Sequence, residues 1–237
     1  MTIMLRAITF DFWGTLVDAR HSLRAKRVEF LWQSLWQRVP IEQVDAAYEQ
    51  SWEDFVRGLD QGFGLTTAYL LSRTLDILHA SLSPSGFAAT LRYWQEVALD
   101  DPPSLLEGVP GVLKAVREKG LFVGLISDTG ATPGRIVRQI LARKGILSLF
   151  DWLTFSDELG VTKRSPVAFT LTLRAFGVRA EEALHVGDLP ATDIYGAQLA
   201  GMHTALLVEN TGYKEGPQAE VVLERLRDLP AVLTHWD

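Results

Sequence analysis

Apolar and polar positions alternate in two textures along the chain. Ala7-Ile8-Thr9-Phe10 is a short β-prone run that ends at Asp11, and Gly14-Thr15 then supplies a turn. From about residue 19 to 99 the apolar positions recur at helical spacing instead. Val28, Leu31, Trp32, Leu35 and Trp36 form one stripe, and Val44, Tyr48, Trp52, Phe55 and Val56 a second. Two more run through Ala68–Leu78 and Phe87–Val97. The breaks at Val39-Pro40, Gly62-Phe63-Gly64 and Ser83-Pro84-Ser85-Gly86 predict four helices and no strand, a module that packs on itself.

Asp100-Asp101-Pro102-Pro103 marks the return to alternating strands and helices. Predicted helices cover Val112–Lys119, Pro133–Lys144, Pro166–Phe176 and Pro190–Ala200, and a last one starts over Val221–Leu226. Predicted strands cover Leu121–Ile126, Trp152–Phe155, Ala183–Val186 and Thr204–Val208. Repeated strand–helix units mean parallel strands with helices on both faces. The expected fold class is α/β, a doubly wound Rossmann-like sheet interrupted after its first strand by an α-helical insertion.

Composition narrows the function classes. The 237 residues fit one large domain or a domain with one sizeable insertion. Lys plus Arg number 23 against 29 Asp plus Glu, a formal net charge of −6 that disfavours nucleic acid and anionic lipid as partners. There is no cysteine, which removes disulfides, thiolate metal sites and cysteine nucleophiles. The apolar start is broken by Arg6, with no leader pattern and no run of roughly 18 apolar residues behind it. The expectation is a cytoplasmic protein with no membrane partner; oligomeric state is left open.

Polar groups sit where chemistry recurs in open α/β sheets, at the carboxyl ends of strands. Asp11 follows the first strand, Ser127-Asp128-Thr129 the second, and Gly187-Asp188, with Asp193 beyond, a later one. Lys163-Arg164 lies in a loop before the helix near Pro166. A carboxylate nucleophile, a hydroxyl, an ammonium and further carboxylates suit phosphoryl transfer. Asp11 could attack phosphorus in line, Asp11 and Asp188 could hold Mg²⁺, and Ser127 and Lys163 could hold the phosphoryl oxygens. Asp188 also has the position of a helix N-cap before Pro190, a role compatible with metal binding. Asp193 reads equally as a partner behind the ligands or as a helix-dipole residue of the first turn.

The residues that suit this chemistry also carry a resemblance. Asp11-Phe12-Trp13-Gly14-Thr15-Leu16 resembles the first motif of the haloacid dehalogenase (HAD) superfamily. Ile126-Ser127, Lys163 and Gly187-Asp188 with Asp193 are similar to its second, third and fourth, in order. Gly108-Val109-Pro110-Gly111-Val112, and Asp193-Ile194 through Gly196-Ala197 to Gly201-Met202, are similar as well. The resemblance implies a core of residues 1–16 and 103–237, with 17–102 as a helical cap of the first (C1) class, hinged near Leu16–Arg20 and Leu99–Ser104. It also implies metal ligands at Asp11, the Trp13 backbone carbonyl, Asp188 and Asp193, and substrate contacts at Thr15 and Asp128.

One position departs from the phosphatases of that family. They have a second aspartate two residues after the nucleophile, acting as general acid and base; here it is Trp13, whose indole cannot exchange a proton at neutral pH. General acid–base catalysis is worth about 10² to 10⁴-fold. Haloacid dehalogenases also have an aromatic residue there, and Leu23-Arg24-Ala25-Lys26-Arg27-Val28-Glu29-Phe30-Leu31-Trp32 resembles the start of their cap, with Arg24 at the substrate arginine. Those enzymes use no Mg²⁺ and generally lack the Gly-Asp form of the fourth motif. The leading expectation is therefore a Mg²⁺-dependent phosphatase of a small organic phosphate, acting through an aspartyl-phosphate. The alternatives are a metal-independent 2-haloacid dehalogenase and a non-catalytic phosphate-binding module.

Without the usual acid, an acyl or aryl phosphate would suit such a phosphatase, or Asp128, Asp18, His21 or a group on the substrate would replace the acid. Which of Lys163 and Arg164 faces the site stays open. The aromatics Trp32, Trp36, Trp52, Phe55, Tyr69 and Trp94 read as bundle core, and His185 as a packed or hydrogen-bonded core residue. Arg135, Arg138, Arg143 and Lys144 read as the exposed face of a helix.

Overall fold

Ala7–Phe10, four buried residues, form strand β1 at the centre of a parallel sheet. The computed structural model describes residues 4–18, 20, 22–209, 212 and 215–236. The other strands are β2 (Phe122–Ser127), β3 (Trp152–Phe155), β4 (Ala183–Gly187), β5 (His203–Leu207) and β6 (Val221–Leu223). The sheet order is β3-β2-β1-β4-β5-β6, and every pairing is parallel. Central strands buried on both faces are continuous apolar runs rather than alternating ones, as β1 and β2 are.

Between β1 and β2 come four helices, α1 (Arg24–Ser34), α2 (Ile41–Asp60), α3 (Thr67–Ile77) and α4 (Pro84–Asp100). They enclose their own cluster, with Leu31, Phe55, Leu70, Leu71 and Trp94 fully buried. Ser83 caps α4, its hydroxyl accepting from the Gly86 amide at 3.1 Å, and Pro84 opens the first turn without an amide to satisfy. The core helices are α5 (Val109–Glu118), α6 (Gly134–Arg143), a short α7 (Ser156–Leu159), α8 (Val167–Phe176), α9 (Tyr195–Leu199) and α10 (Leu229–Val232). A larger apolar cluster joins α5 and α6 to one face of the sheet, and a smaller one places α8 on the other.

Three expectations change. Val221–Leu223 is not the start of a helix but the edge strand β6, because two β-branched residues pair with Ala205–Leu207 of β5 and only Leu223 turns fully inward. Trp36 and Tyr69 are not in the bundle core: α1 ends at Ser34 and Trp36 follows with a φ of 56° and 81% exposure, while Tyr69 lies on the outer face of α3, 39% exposed. The helix expected over Pro190–Ala200 begins as a π-helical turn, Pro190–Ile194, which carries Asp193. Among the described residues no helix is long and apolar enough to cross a membrane.

Candidate active site

In this strand order the chain leaves β1 for opposite sides of the sheet, and ligands of doubly wound sheets bind outside the carboxyl ends of the strands at that point. The Asp11 amide donates to the Val186 carbonyl of β4 at 2.9 Å, which ties the first residue past β1 to its neighbour. Ser127 closes β2, and Asp188 follows β4 directly. Asp11, Ser127, Lys163, Asp188 and Asp193 are all buried, at 0–3% exposure.

One ammonium organises the site. Lys163 Nζ donates to Asp11 Oδ1 at 2.6 Å and to Asp193 Oδ1 at 2.5 Å. It is Lys163, not Arg164, that faces the site; Arg164 reaches Asp60 at 3.6 Å instead. Burial alone would pull the Lys163 ammonium down, but Asp11, Asp193 and Asp128 outweigh it and hold the proton more tightly than usual. Asp11 and Asp193 share this cation and move in opposite directions. Burial pushes Asp11 well above the ordinary carboxylate range; Lys163 opposes this, while Asp193 and Asp188 add to it. Asp193 is equally buried, yet Lys163 and His185 together hold it below that range.

Asp193 has both oxygens engaged by donors. His185 Nε2 lies 3.1 Å from Oδ1, and the Leu189 amide donates to Oδ2 at 3.0 Å. His185 is the buried core histidine expected from the sequence, its Nδ1 2.8 Å from Thr9 Oγ1, and burial lowers its affinity for a proton. The chain Thr9–His185–Asp193–Lys163–Asp11 thus runs through the sheet from β1 through β4 and back to the residue past β1.

Two features fit a divalent cation. One oxygen each from Asp11, Asp188 and Asp193 lies within 4.8 Å of the others, an all-oxygen set of the kind hard cations take. Gly14, with φ +80°, leaves the space the Asp188 carboxyl occupies; a Cβ built there would lie 2.7 Å from the Asp188 carboxyl carbon. Beside the carboxylates, the hydroxyls of Ser127 and Thr15 are buried with no hydrogen-bond partner, as is that of Thr192. Buried hydroxyls are almost always paired, so these are places for a ligand's acceptors.

A cavity of about 550 Å³ opens over Asp11 and Lys163, between the sheet edge and the four-helix module. Trp13 and Asp128 line it, and so does Arg24. Arg24 is held by Asp45 at 2.7 Å and by Glu49, so its guanidinium is already occupied. Asp128 accepts the Lys163 amide at 3.0 and 3.3 Å, and burial raises its carboxyl to about 6. Asp18 is paired with Arg20 at 2.7 Å and does not line the cavity. His21 lies outside the described residues.

Sequence reasoning missed three things. Trp52, read as bundle core, is half-buried and lines the cavity. Arg27 also lines it, buried, donating to the Trp94 and Ala131 carbonyls and to Thr132 Oγ1 at 3.1–3.3 Å, and so ties α1 to α4 and to the core. The turn after α2 pairs with the loop that carries Lys163: Phe63 bridges Val161, and the Gly64 amide donates to the Gly160 carbonyl at 3.2 Å. A Cβ on Gly64 would lie 2.8 Å from Gly160 Cα, so only glycine permits this approach. On the far side, Arg135 pairs with Glu96 of α4 at 3.2 Å and Arg143 donates to the Leu99 carbonyl at 2.6 Å. That face of α6 therefore holds the insertion rather than only facing solvent.

Comparison with known proteins agrees with these motifs. The profile of the haloacid dehalogenase-like hydrolases matches residues 5–201. The chain is 30% identical over 223 residues to a glyceraldehyde 3-phosphate phosphatase of Pyrococcus furiosus, covering 93% of this chain and 85% of that one. It is 31% identical over 240 residues to phosphoglycolate phosphatase 1 of Pseudomonas aeruginosa, covering 96% and 79%. Its fold is similar to a 2-haloacid dehalogenase from Pseudomonas syringae (TM-score 0.68, 22% identity, 99% and 100% covered). It is also similar to a HAD phosphatase from Thermococcus onnurineus (TM-score 0.66, 19% identity, 97% and 98% covered). Fold alone therefore does not separate the two chemistries, but the four motifs and the matched span do place the protein: the chain belongs to the haloacid dehalogenase-like hydrolases.

Proposed function

We propose that the protein is a Mg²⁺-dependent phosphatase of a small organic phosphate, with Asp11 as nucleophile. The observation that carries this reading is the buried carboxylate group Asp11, Asp188 and Asp193 around Lys163, beside the partnerless hydroxyls of Ser127 and Thr15. A haloacid carries its own carboxylate, and Asp188 and Asp193 would repel it. Two relatives over most of the chain being phosphatases points the same way.

In this reading Asp11 and Asp188, with the Trp13 backbone carbonyl, hold the cation, and Asp193 acts on Lys163. When bound, the cation neutralises phosphoryl charge and keeps Asp11 ionised. Lys163 and the hydroxyls of Ser127 and Thr15 orient the phosphoryl oxygens. An Asp11 carboxylate oxygen forms a bond to phosphorus as the ester P–O bond breaks, and the electron pair leaves with the ester oxygen. Water then attacks the phosphorus of the aspartyl-phosphate, releasing inorganic phosphate and restoring Asp11. Residues 17–102 act as a cap, hinged near 16–20 and 99–104, that excludes bulk water while the phosphoryl group passes to Asp11.

The test is phosphate release from a panel of aryl, acyl and sugar phosphates, with Mg²⁺ and with EDTA. Release that needs Mg²⁺ and disappears in Asp11→Asn is expected. Chloride release from 2-chloropropionate that survives EDTA, with no phosphate release, would overturn it in favour of a dehalogenase.

A further inference from the structure

We propose that the substrate is an aryl phosphate, bound with its ring in the cavity against Trp13, Tyr48 and Trp52; this rests on the phosphatase reading above. Two independent observations converge on it, one about the bond that breaks and one about the wall the leaving group meets.

The first is the scarcity of proton donors. Among the described residues four carboxyl groups line the cavity: Asp11, Glu49, Asp60 and Asp128. Asp11 is the nucleophile of the proposal. Glu49 is engaged by Arg24, and Asp60 is largely exposed and meets Arg164. Asp128 is turned to the Lys163 backbone, both its oxygens on the same amide. Trp13, two residues past Asp11 and lining the cavity, has an indole that gives up no proton near neutral pH; it is half-buried and packed edge-on to Phe12 at 4.8 Å. With three of these carboxyl groups paired and the fourth the nucleophile, the cavity favours a leaving group that departs readily as an anion. A phenolic hydroxyl has a pKa of about 10, against about 16 for water, so a phenoxide departs unprotonated far more readily than a hydroxide-like alkoxide.

The second is the wall itself. Trp13, Leu23, Tyr48, Trp52, Val56 and Leu59 make most of it apolar. Tyr48 and Trp52 lie nearly parallel, 8° apart with centroids at 6.3 Å, and Trp52 continues onto Phe55 at 5.6 Å and 17°. This run of rings is fixed from behind. Arg27 donates to the Tyr48 hydroxyl at 3.5 Å, and Phe55 is fully buried. Preformed aromatic surface in a cavity of this size suits a ring, which buries area at little cost in conformational entropy. A three-carbon sugar phosphate or a two-carbon phosphoacid would leave the rings wet and most of the 550 Å³ unfilled.

The step balances without another reactant. The Asp11–phosphorus bond forms while the aryl P–O bond breaks, the electron pair leaves on the phenolate oxygen, and the phenolate takes its proton from water once outside. Water then cleaves the aspartyl-phosphate.

The experiment is steady-state phosphate release by the full chain with Mg²⁺ on substituted phenyl phosphates of graded leaving-group acidity, alongside glyceraldehyde 3-phosphate, phosphoglycolate and acetyl phosphate. The expected result is kcat/KM at least 100-fold higher for phenyl than for alkyl esters, rising as the phenol becomes more acidic. Trp52→Ala should raise KM for phenyl phosphate about tenfold at little change in kcat, and leave the alkyl esters unmoved. Trp13→Asp should narrow the aryl-to-alkyl ratio by speeding the alkyl esters, within the 10² to 10⁴-fold range of an acid catalyst. Alkyl or acetyl phosphates hydrolysed as well as or better than the aryl series, or a Trp52→Ala KM that shifts equally for all substrates, would overturn the substrate class while the phosphatase stands. No phosphate release from any member would overturn the phosphatase as well.

Discussion

The sheet edge and the facing helices are built by opposite rules. At the sheet edge the charged groups are buried and mutually dependent: Lys163, Asp11 and Asp193 each have side chains at most 4% exposed, and each sets the charge state of the others. On the helices, apart from the buried Arg27, the charged groups around the cavity are exposed or half-exposed pairs such as Arg24 with Asp45, and much of the surface toward the cavity is aromatic. Buried charge fixes geometry tightly because any partner removed leaves an uncompensated ion. Exposed pairs and apolar walls tolerate change. One side of the cavity is thus suited to invariant chemistry and the other to selecting what is brought to it.

Substitutions at the sheet edge should therefore cost far more than those on the helices. Asp11→Asn should lower kcat by roughly 10³-fold or more, as loss of a nucleophile does, with the fold intact by circular dichroism. Lys163→Met leaves two buried carboxylates without their ammonium, and urea denaturation should show a loss of roughly 3–5 kcal/mol at neutral pH. Part of that loss should return as the pH falls and the carboxylates take up protons.

Asp128 lines the cavity between the two regions. Its carboxyl is raised to about 6 in the folded protein, against about 3.9 unfolded, so the native state holds a proton that the unfolded state has lost. Its stabilising contribution is full below about pH 4 and is lost as the pH rises through about 6, an amount of roughly 3 kcal/mol. Asp128→Asn should flatten the stability profile over that window, read by denaturation at pH 4, 5, 6 and 7. At the bottom of the scale, Arg24→Ala removes a pair more than a third exposed, and its effect on stability should stay below about 1 kcal/mol.

The same contrast explains what was legible in the sequence. Asp11, Ser127 and Asp188 were readable because each ends an apolar run that could only be a buried strand, and the strand order brings those ends together. The pairing of Asp193 with His185 and Lys163 was not, since it depends on the π-helical turn and on a loop 30 residues away. On the helices, spacing told which residues were apolar but not which apolar face met the cavity. Trp52 and Phe55 are one turn apart, and one lines the cavity while the other is bundle core. Arg24 and Arg27 are also one turn apart, and the one that joins the two regions is Arg27. The three-residue β6 was too short to show a period, and its pairing with β5, distant in sequence, is what makes it a strand.

The most direct test of the account is mass spectrometry of the protein quenched in acid while it turns over a phosphate ester with Mg²⁺. A phosphoryl group on the peptide that carries Asp11, absent in Asp11→Asn, is the predicted result. Turnover that continues with no phosphoryl group on the protein, or with one on another residue, would contradict it.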